Sequence, residues 1–474
     1  MEIASETERK YDVPEAFELP DLTGTAGISS TGGAETHDLD ATYFDTDDLA
    51  LLTNRRTLRR RMGGSDAGWH LKTPGGAGSR TEHRLPLTGD GPDDRVPAEL
   101  TGLVRAIIRR RELTPVARLR TYRVETPLRD AEGTTLALVA QDRVTAETGK
   151  GEQSWQEIEV ELVGGDAGLL TAVERRLLAA GARPAAGPSK VARALGNPTP
   201  AKAAKKTKNP VLAYAREQRD ALTEFDPGVR QGDPEAVHKM RVATRRLRST
   251  LKTFKRTFPG TEDLNAELKW LADLLGAVRD GQVQKGTLLA AVEEAGPQFA
   301  ASAERIRRHL DDQVTNGQQA LVTALDGERY LTLLDRIDRL TDDAVPEKDP
   351  LGRARKSLAR ADALLDQALA DGQDAELHEA RKAYKRARYA VEVFAPAAGS
   401  PAKQLVKRLT DLQDVLGAHQ DSVVAREMLH ELGPDDFWMG VLWGRQEQLG
   451  KDTYAALPVV VEESRWKKLR KWLG

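Results

Sequence analysis

Two periodicities divide this chain. Up to about residue 195, apolar and polar side chains alternate with period two in short stretches, the pattern of antiparallel strands. Gly/Pro/Asp turns punctuate them: PGGAGS (74–79), GDGPDD (89–94) and RDAEG (129–133). Beyond residue 210, long Leu/Ala/Arg/Glu-rich stretches with few Gly/Pro interruptions read as helices. Between them GNPTPAKAAKKTKNP (196–210) combines Gly, three prolines and alternating Lys/Ala. It reads as a linker, stiffened by proline and extended by charge repulsion. The expected fold class is α+β, with an antiparallel β domain over 1–195 and an all-α domain over 211–474.

The strand pattern has an unusual charged face. Residues i and i+2 of a strand point the same way. Glu6, Glu8 and Lys10 therefore share a face, as do Arg59 with Arg61, His70 with Lys72, and Arg80, Glu82 and Arg84. In QEIEVEL, Glu157, Glu159 and Glu161 oppose Ile158, Val160 and Leu162. One such strand is an ordinary half-buried strand with its charges in water. Five of them suggest a barrel with a polyionic lumen and apolar residues packed outside. Cations at Arg59, Arg61, Lys72, Arg80 and Arg120 beside carboxylate clusters suit a polyphosphate chain and a divalent metal.

Residues 1–195 resemble the CYTH, or triphosphate-tunnel metalloenzyme, superfamily. The resemblance rests on ExExK (Glu6, Glu8, Lys10), YFDT (43–46), LRxR (58–61), the Lys72 strand, RxE (Arg80, Glu82), LRTYR (119–123), EIEVEL (157–162) and Ser189-Lys190. It implies a tunnel of about eight antiparallel strands that hydrolyses tripolyphosphate or another triphosphate with Mg²⁺ or Mn²⁺. By that resemblance Glu6, Glu8, Glu159 and Glu161 hold the metal and Glu157 supports them. Lys10, Arg59, Arg61, Lys72, Arg80, Arg120 and Lys190 hold phosphate, and Glu6, Glu8 and Lys10 form the catalytic group. One departure is Arg84, where such domains often carry a second glutamate. It places a cation in the lumen, so binding is expected ahead of turnover.

The helical half repeats itself. Residues 237–254 read VHKMRVATRRLRSTLKTF, and 377–394 read LHEARKAYKRARYAVEVF. LADLLGAVRDGQV (271–283) recurs as LQDVLGAHQDSVV (412–424). Two matched blocks in order indicate internal duplication, with halves at roughly 211–325 and 350–474. His238, Arg241, Arg245, Arg248 and Lys252 form one helical stripe, repeated by His378, Arg381, Lys385 and Arg388. Val237, Met240, Thr244, Leu247, Leu251 and Phe254 form the adjacent core stripe. No acid occurs from Ala236 to Thr261 among eight Lys/Arg. A solvated helix face would interleave acids with them, so an anion is expected. The second copy is diluted by Glu379 and Glu392.

This half resembles the CHAD (conserved histidine α-helical) domain, through the helices of His238 and His378 and the LLGAVRD and VLGAHQD segments. The resemblance implies two four-helix bundles related by a pseudo-twofold, with a basic groove that binds inorganic polyphosphate. Gln420 replaces the arginine of the first RD pair, which marks the weaker copy. The histidines lack carboxylates at metal-ligand spacing and read as phosphate donors that gain affinity when protonated. The terminal RWKKLRKWL (465–473) either extends the basic surface or docks through Trp466, Leu469 and Leu473.

Composition narrows these readings. A net charge of -2 and a pI near 6.5 mean that positive charge is local, not general. The absence of cysteine excludes disulfides, thiol catalysis and thiolate zinc sites, and fits a reducing cytosol. MEIASETERKYDVP has no apolar core, so no signal peptide is expected, and no apolar run suggests a membrane partner. The expected location is cytoplasmic, including polyphosphate granules. Aromatics at 5% leave little for base stacking. Nucleic-acid binding is therefore the weaker alternative, after a non-catalytic scaffold docked on polyphosphate.

Overall fold

The computed structural model describes residues 1–75, 79–87, 95–198, 207–342 and 344–474. The expected turn at 89–94 lies outside the described residues, as do parts of the turn at 74–79 and of the 196–210 linker. The chain forms two compact units, Met1–Lys205 and Lys206–Gly474.

The first unit is built on β1 (Glu2–Glu6), β2 (Glu8–Val13), β3 (Ser30–Thr31), β4 (Glu35–Asp45), β5 (Thr57–Met62), β6 (Gly68–Pro74), β7 (Arg80–Leu85), β8 (Thr114–Arg129), β9 (Thr135–Thr148), β10 (Gly151–Leu162) and β11 (Arg183–Pro184). Helices α1 (Ala50–Thr53), α2 (Ala98–Ile108), α3 (Ala167–Ala179) and α4 (Lys190–Ala194) are interspersed. All strands belong to one antiparallel sheet, in the order β1-β7-β6-β5-β4-β8-β9-β10-β2-β11, with β3 on β8. The path starts on β1 and returns to β2, the continuation of the same segment after Thr7. The sheet is thus curled into a half-barrel.

Alternation decides what each face buries. Ile158 and Val160 of β10, Val139 of β9 and Tyr11 of β2 point outward and are covered by Leu169, Leu170, Val173 and Leu177 of α3. Leu58, Trp69 and Leu71 of β5 and β6 point outward under Leu100, Leu103, Val104 and Ile107 of α2. Burying each such side chain contributes roughly 1.5–3 kcal/mol. With the apolar sets outside, the charged sets must line the interior. One end of that interior is apolar, where Val191, Ala192 and Ala194 of α4 pack on Leu119, Val144, Ala146 and Trp155. Asp45 of the YFDT segment has a structural task. Its carboxylate accepts from Leu51 N at 2.8 Å and Leu52 N at 2.9 Å, ordering the turn into α1.

The second unit is all helical. It comprises α5 (Pro210–Arg230), α6 (Pro234–Thr253), α7 (Glu262–Ala295), α8 (Ala300–Asp326), α9 (Glu328–Asp342), α10 (Pro350–Asp371), α11 (Asp374–Glu392), α12 (Ala395–Ala398), α13 (Ser400–Leu432), α14 (Phe437–Ser464) and α15 (Lys467–Arg470). Asn209, Asp233 and Asp349 cap helices that begin with proline, a strong start signal. Chain neighbours pack together: α5 on α6, α6 on α7, α7 on α8, then α10 on α11 and α13 on α14. The two repeated helices, α6 and α11, also pack on each other. Phe254 and Phe394, counterparts in the repeat, meet edge to face with ring centroids 6.2 Å apart. The expected core stripe of α6 is buried throughout. Of the two readings of the terminal segment, docking is the one observed: Leu469 and Leu473 are 4% exposed and join the core of α10, α11 and α13. No described helix is long and apolar enough to cross a membrane.

Candidate functional site

The charges of the first unit converge inside the curled sheet. Glu6 ends β1, and Glu8 and Lys10 follow on β2, so one segment carries all three inward. β5 adds Arg59 and Arg61, β6 adds Lys72, and β7 adds Arg80, Glu82 and Arg84. Arg123 of β8 and Glu159 and Glu161 of β10 complete the wall. Lys190 enters from the first residue of α4, whose cap Ser189 accepts from Ala192 N at 3.2 Å. About 80 Å³ of space remains between these groups.

Ion pairs hold most of the lumen. Lys190 Nζ lies 2.6 Å from Glu159 and 2.8 Å from both Asp142 and Glu157. Arg123 donates through Nε and Nη2 to the two oxygens of Asp142, both at 2.8 Å, and reaches Glu159 at 2.7 Å. Lys10 pairs with Glu159 and, at 3.1 Å, with Glu8. Lys72 pairs with Glu6, and Arg84 pairs with Glu82 and, at 3.4 Å, with Glu6. His70 supports Glu82 at 3.0 Å and meets the Asp66 carbonyl oxygen at 2.9 Å. Buried charges need such partners, because each ion removed from water otherwise costs several kcal/mol, of order.

The exception is Glu161. Among the described residues no cation lies within ion-pair distance of it. Burial first, then the neighbouring Glu6, push its carboxyl up to about 7; Lys72 opposes them in part, and Glu8 and Glu159 add to the rise. Glu159 behaves oppositely. Burial opposes its charge, but Lys10, Lys190 and Arg123 hold it well below the usual carboxylate range. Asp142, Glu157 and Glu159 have carboxylate oxygens within 4.8 Å of one another, a spacing able to hold a metal ion. The Lys190 ammonium already fills that spacing. Glu161 lies beside Glu6 and Glu8, whose charges are met by Lys72 and Arg84 and by Lys10, and is itself without an ion pair among the described residues.

Most of the residues read from the sequence meet here: Glu6, Glu8, Lys10, Arg59, Arg61, Lys72, Arg80, Glu159, Glu161 and Lys190. Arg120 does not. It is 56% exposed and pairs with Glu147 at 3.1 Å on the outer face. Its strand neighbours Leu119 and Thr121 point inward, and Arg123 shares their face. Arg123 and Asp142 were not read from the sequence. They stand opposite each other across the β8–β9 ladder.

The helical unit presents a different surface. Arg245, Arg248 and Lys252 of α6 face Lys382, Lys385 and Arg386 of α11 across an open groove. Toward the helix N-termini, Arg241 donates to Asp280 at 3.0 Å, and His378 Nδ1 lies 2.7 Å from Gln420 Oε1. The repeated LLG and VLG segments have a steric reason. A Cβ on Gly417 would crowd Arg381 Nη2 at 3.2 Å, whereas one on Gly276 would only touch Arg241 Nε at an ordinary 3.7 Å. Each glycine seats an arginine over a helix backbone. Burial, then Arg245, Arg381 and Arg241, push the Lys385 ammonium down to about 6. Arg388, expected on the anion-facing stripe, does not line the groove. It is 17% exposed, pairs with Glu392 at 2.7 Å and donates to Gln413 at 3.0 Å.

The CYTH domain model matches residues 4–194 and the CHAD domain model residues 213–430. Rv2226 of Mycobacterium tuberculosis is 37% identical over 489 aligned positions, covering 94% of this chain and 93% of that protein. PptA from Streptomyces chartreusis superimposes on 53% of this chain and 98% of its own, with 20% identity and a TM-score of 0.47. The CHAD domain from Ricinus communis covers 53% of this chain and 90% of its own, with 26% identity and a TM-score of 0.44.

Proposed function

The chain belongs to the family of proteins that join a CYTH domain to a CHAD domain, and on that premise we propose a polyphosphate-binding triphosphatase. In this reading the curled sheet closes into a tunnel within a domain spanning 1–195. The segments 211–325 and 350–474 form two four-helix bundles related by a twofold. The helical unit binds inorganic polyphosphate. The tunnel takes tripolyphosphate or another triphosphate and hydrolyses its terminal anhydride: water attacks the end phosphorus, the bridging P–O bond breaks with its electrons going to the departing diphosphate end, and the attacked group is released as orthophosphate.

The observation that carries this reading is the division of labour inside the lumen. Lys10, Arg59, Arg61, Lys72, Arg80, Arg123 and Lys190 supply positive charge for phosphate oxygens. Glu6, Glu8 and Glu161, with Glu159 beside them, supply hard oxygen donors for Mg²⁺ or Mn²⁺. The fit is supported by Glu161, a half-buried carboxylate that faces other carboxylates and makes no ion pair among the described residues. Such a metal neutralises phosphate charge and activates water when bound. The chain's own residues grip and align the phosphates and keep the site dry.

Arg84 favours a second reading. It pairs with both Glu6 and Glu82, so a fixed cation competes for a proposed metal ligand. That arrangement suits a scaffold that binds without turnover. Phosphate release should be measured with Mg²⁺ or Mn²⁺ on tripolyphosphate, long polyphosphate, ATP and thiamine triphosphate. Metal-dependent release, abolished by Glu6→Gln with Glu8→Gln in a folded protein, is the expected result. Release unchanged in that double variant would remove the catalytic assignment. No release from any substrate, with recovery in Arg84→Glu, would establish the scaffold and its cause.

A further inference from the structure

We propose that the helical unit offers a polyanion one groove rather than two, and that Glu392 is the residue that seals the other. The inference rests on the polyphosphate reading of that unit. The duplication makes position n of α6 the counterpart of position n+140 of α11. Two helices so related and packed together should present two like faces, one on each side of their contact. The structure shows that these faces are not alike.

On one face Lys252 stands near Arg386, and Arg248 and Arg245 stand near Lys385. Among the described residues, Arg245, Lys252, Lys385 and Arg386 have no carboxylate within ion-pair distance. Lys252 and Arg386 are exposed to solvent. Burial and then like-charged neighbours depress Lys252 and Lys385 below their ordinary range, which marks this face as short of negative charge.

The counterpart of Lys252 is Glu392, and the counterpart of Arg386 is Arg246. Where the first face sets cation against cation, the second makes a salt bridge, with Arg246 Nε 3.0 Å from Glu392 Oε2. Glu392 also accepts from Arg388 at 2.7 Å and from the Tyr214 hydroxyl at 2.8 Å, and its side chain is 9% exposed. Tyr389 closes the cluster, with Arg388 4.8 Å and Arg246 5.8 Å from its ring centre. Lys382 of the open face has Val242 as its counterpart, so the sealed face loses a further cation. One substitution at the end of a duplicated helix thus turns a matched pair of anion faces into one groove and one structural network. A linear polyanion is then held along one path.

The test uses the full-length protein, short-chain polyphosphate, and titration calorimetry for affinity and stoichiometry. Lys252→Glu should weaken binding by about tenfold or more, because it builds on the open face the bridge that seals the other. Glu392→Lys, folded by circular dichroism, should raise stoichiometry toward two chains per protein. Wild-type affinity in Lys252→Glu, or unchanged stoichiometry and affinity in folded Glu392→Lys, would overturn the inference. If Glu392→Lys does not fold, Lys252→Ala and Arg246→Ala decide: loss in the first alone supports it, and equal or greater loss in the second overturns it. No binding by the wild type would instead remove the underlying polyphosphate reading.

Discussion

The two units meet the same problem, a dense cluster of cations, in opposite ways. Inside the curled sheet almost every cation has a carboxylate: Lys190 and Arg123 each reach three. Along the α6–α11 groove Arg245, Lys252, Lys385 and Arg386 have none among the described residues. Solvent access explains the difference at Lys252 and Arg386, while half-buried Lys385 answers with a depressed pKa instead. A lumen side chain such as Asp142, 2% exposed, cannot leave its charge to water. Exposed Lys252 and Arg386 can. A lumen ligand must therefore exchange with ion pairs already made, whereas a groove ligand supplies neutralisation that the protein lacks.

Lys190→Met should give the largest effect. It leaves Asp142, Glu157 and Glu159 facing one another without their shared cation. Breaking a buried pair this way costs about 3–5 kcal/mol, readable by urea denaturation. Their spacing suits a metal, so Mg²⁺ should raise the Tm of the variant more than that of the wild type. Arg245→Met in the groove should be neutral or stabilising. Similar costs for the two variants would erase the contrast between the units.

Glu161→Gln sharpens the contrast from within the lumen. This carboxylate faces Glu6, Glu8 and Glu159, offset in part by Lys72 but with no ion pair among the described residues, so it resembles the groove with its sign inverted. Removing its charge should stabilise the metal-free protein by about 1 kcal/mol, a Tm rise of about 2–4 °C. The further rise caused by Mg²⁺ should shrink. A lower Tm in the metal-free variant would show that Glu161 has a stabilising partner, contrary to its assignment as a metal ligand.

The strand parity of charge was legible, because Glu6, Glu8, Lys10, Lys72, Arg80, Glu82, Glu159 and Glu161 all repeat with period two and all line the cavity. Arg123 was not. LRTYR carries an arginine on each face, and only the register with β4 and β9 chooses between them. Asp142 stands between Ala140 and Val144 on its own face, so no alternation of charge marks it. The helical stripes show the same limit. Spacing put Arg388 beside Lys385, but the pull of Glu392 and Gln413 is decided by packing. Period predicts which residues share a face, and partners decide which of them remain available to a ligand.

The smallest expected effect isolates the contrast in a single residue type. Lys10 and Lys190, lining the lumen, are held above the ordinary lysine range despite desolvation, by Glu159 with Glu8 in one case and by Asp142 with Glu159 in the other. Lys385, in the groove, is pushed down to about 6 by burial and by Arg245, Arg381 and Arg241, with Asp421 of α13 the opposing charge. The sign follows from these neighbours. Between pH 6 and the ordinary lysine value of 10.5 the unfolded chain holds a proton that folded Lys385 lacks. Its contribution to stability therefore rises with pH across that window, and its penalty is complete below pH 6. A bound polyanion restores the proton, so polyphosphate affinity should rise as pH falls from 8 to 6. His238 and His378 are both depressed below their ordinary 6.5, by burial first, so they add charge only on the acid side of that value. Lys385→Arg keeps the charge at every pH. It should flatten the rise and improve binding at pH 8 by about threefold to tenfold, with no gain at pH 6. Anisotropy of labelled polyphosphate across that range is the measurement. A flat wild-type profile would mean that Lys385 is already charged at pH 8 and that the groove finds a counter-charge as the lumen does.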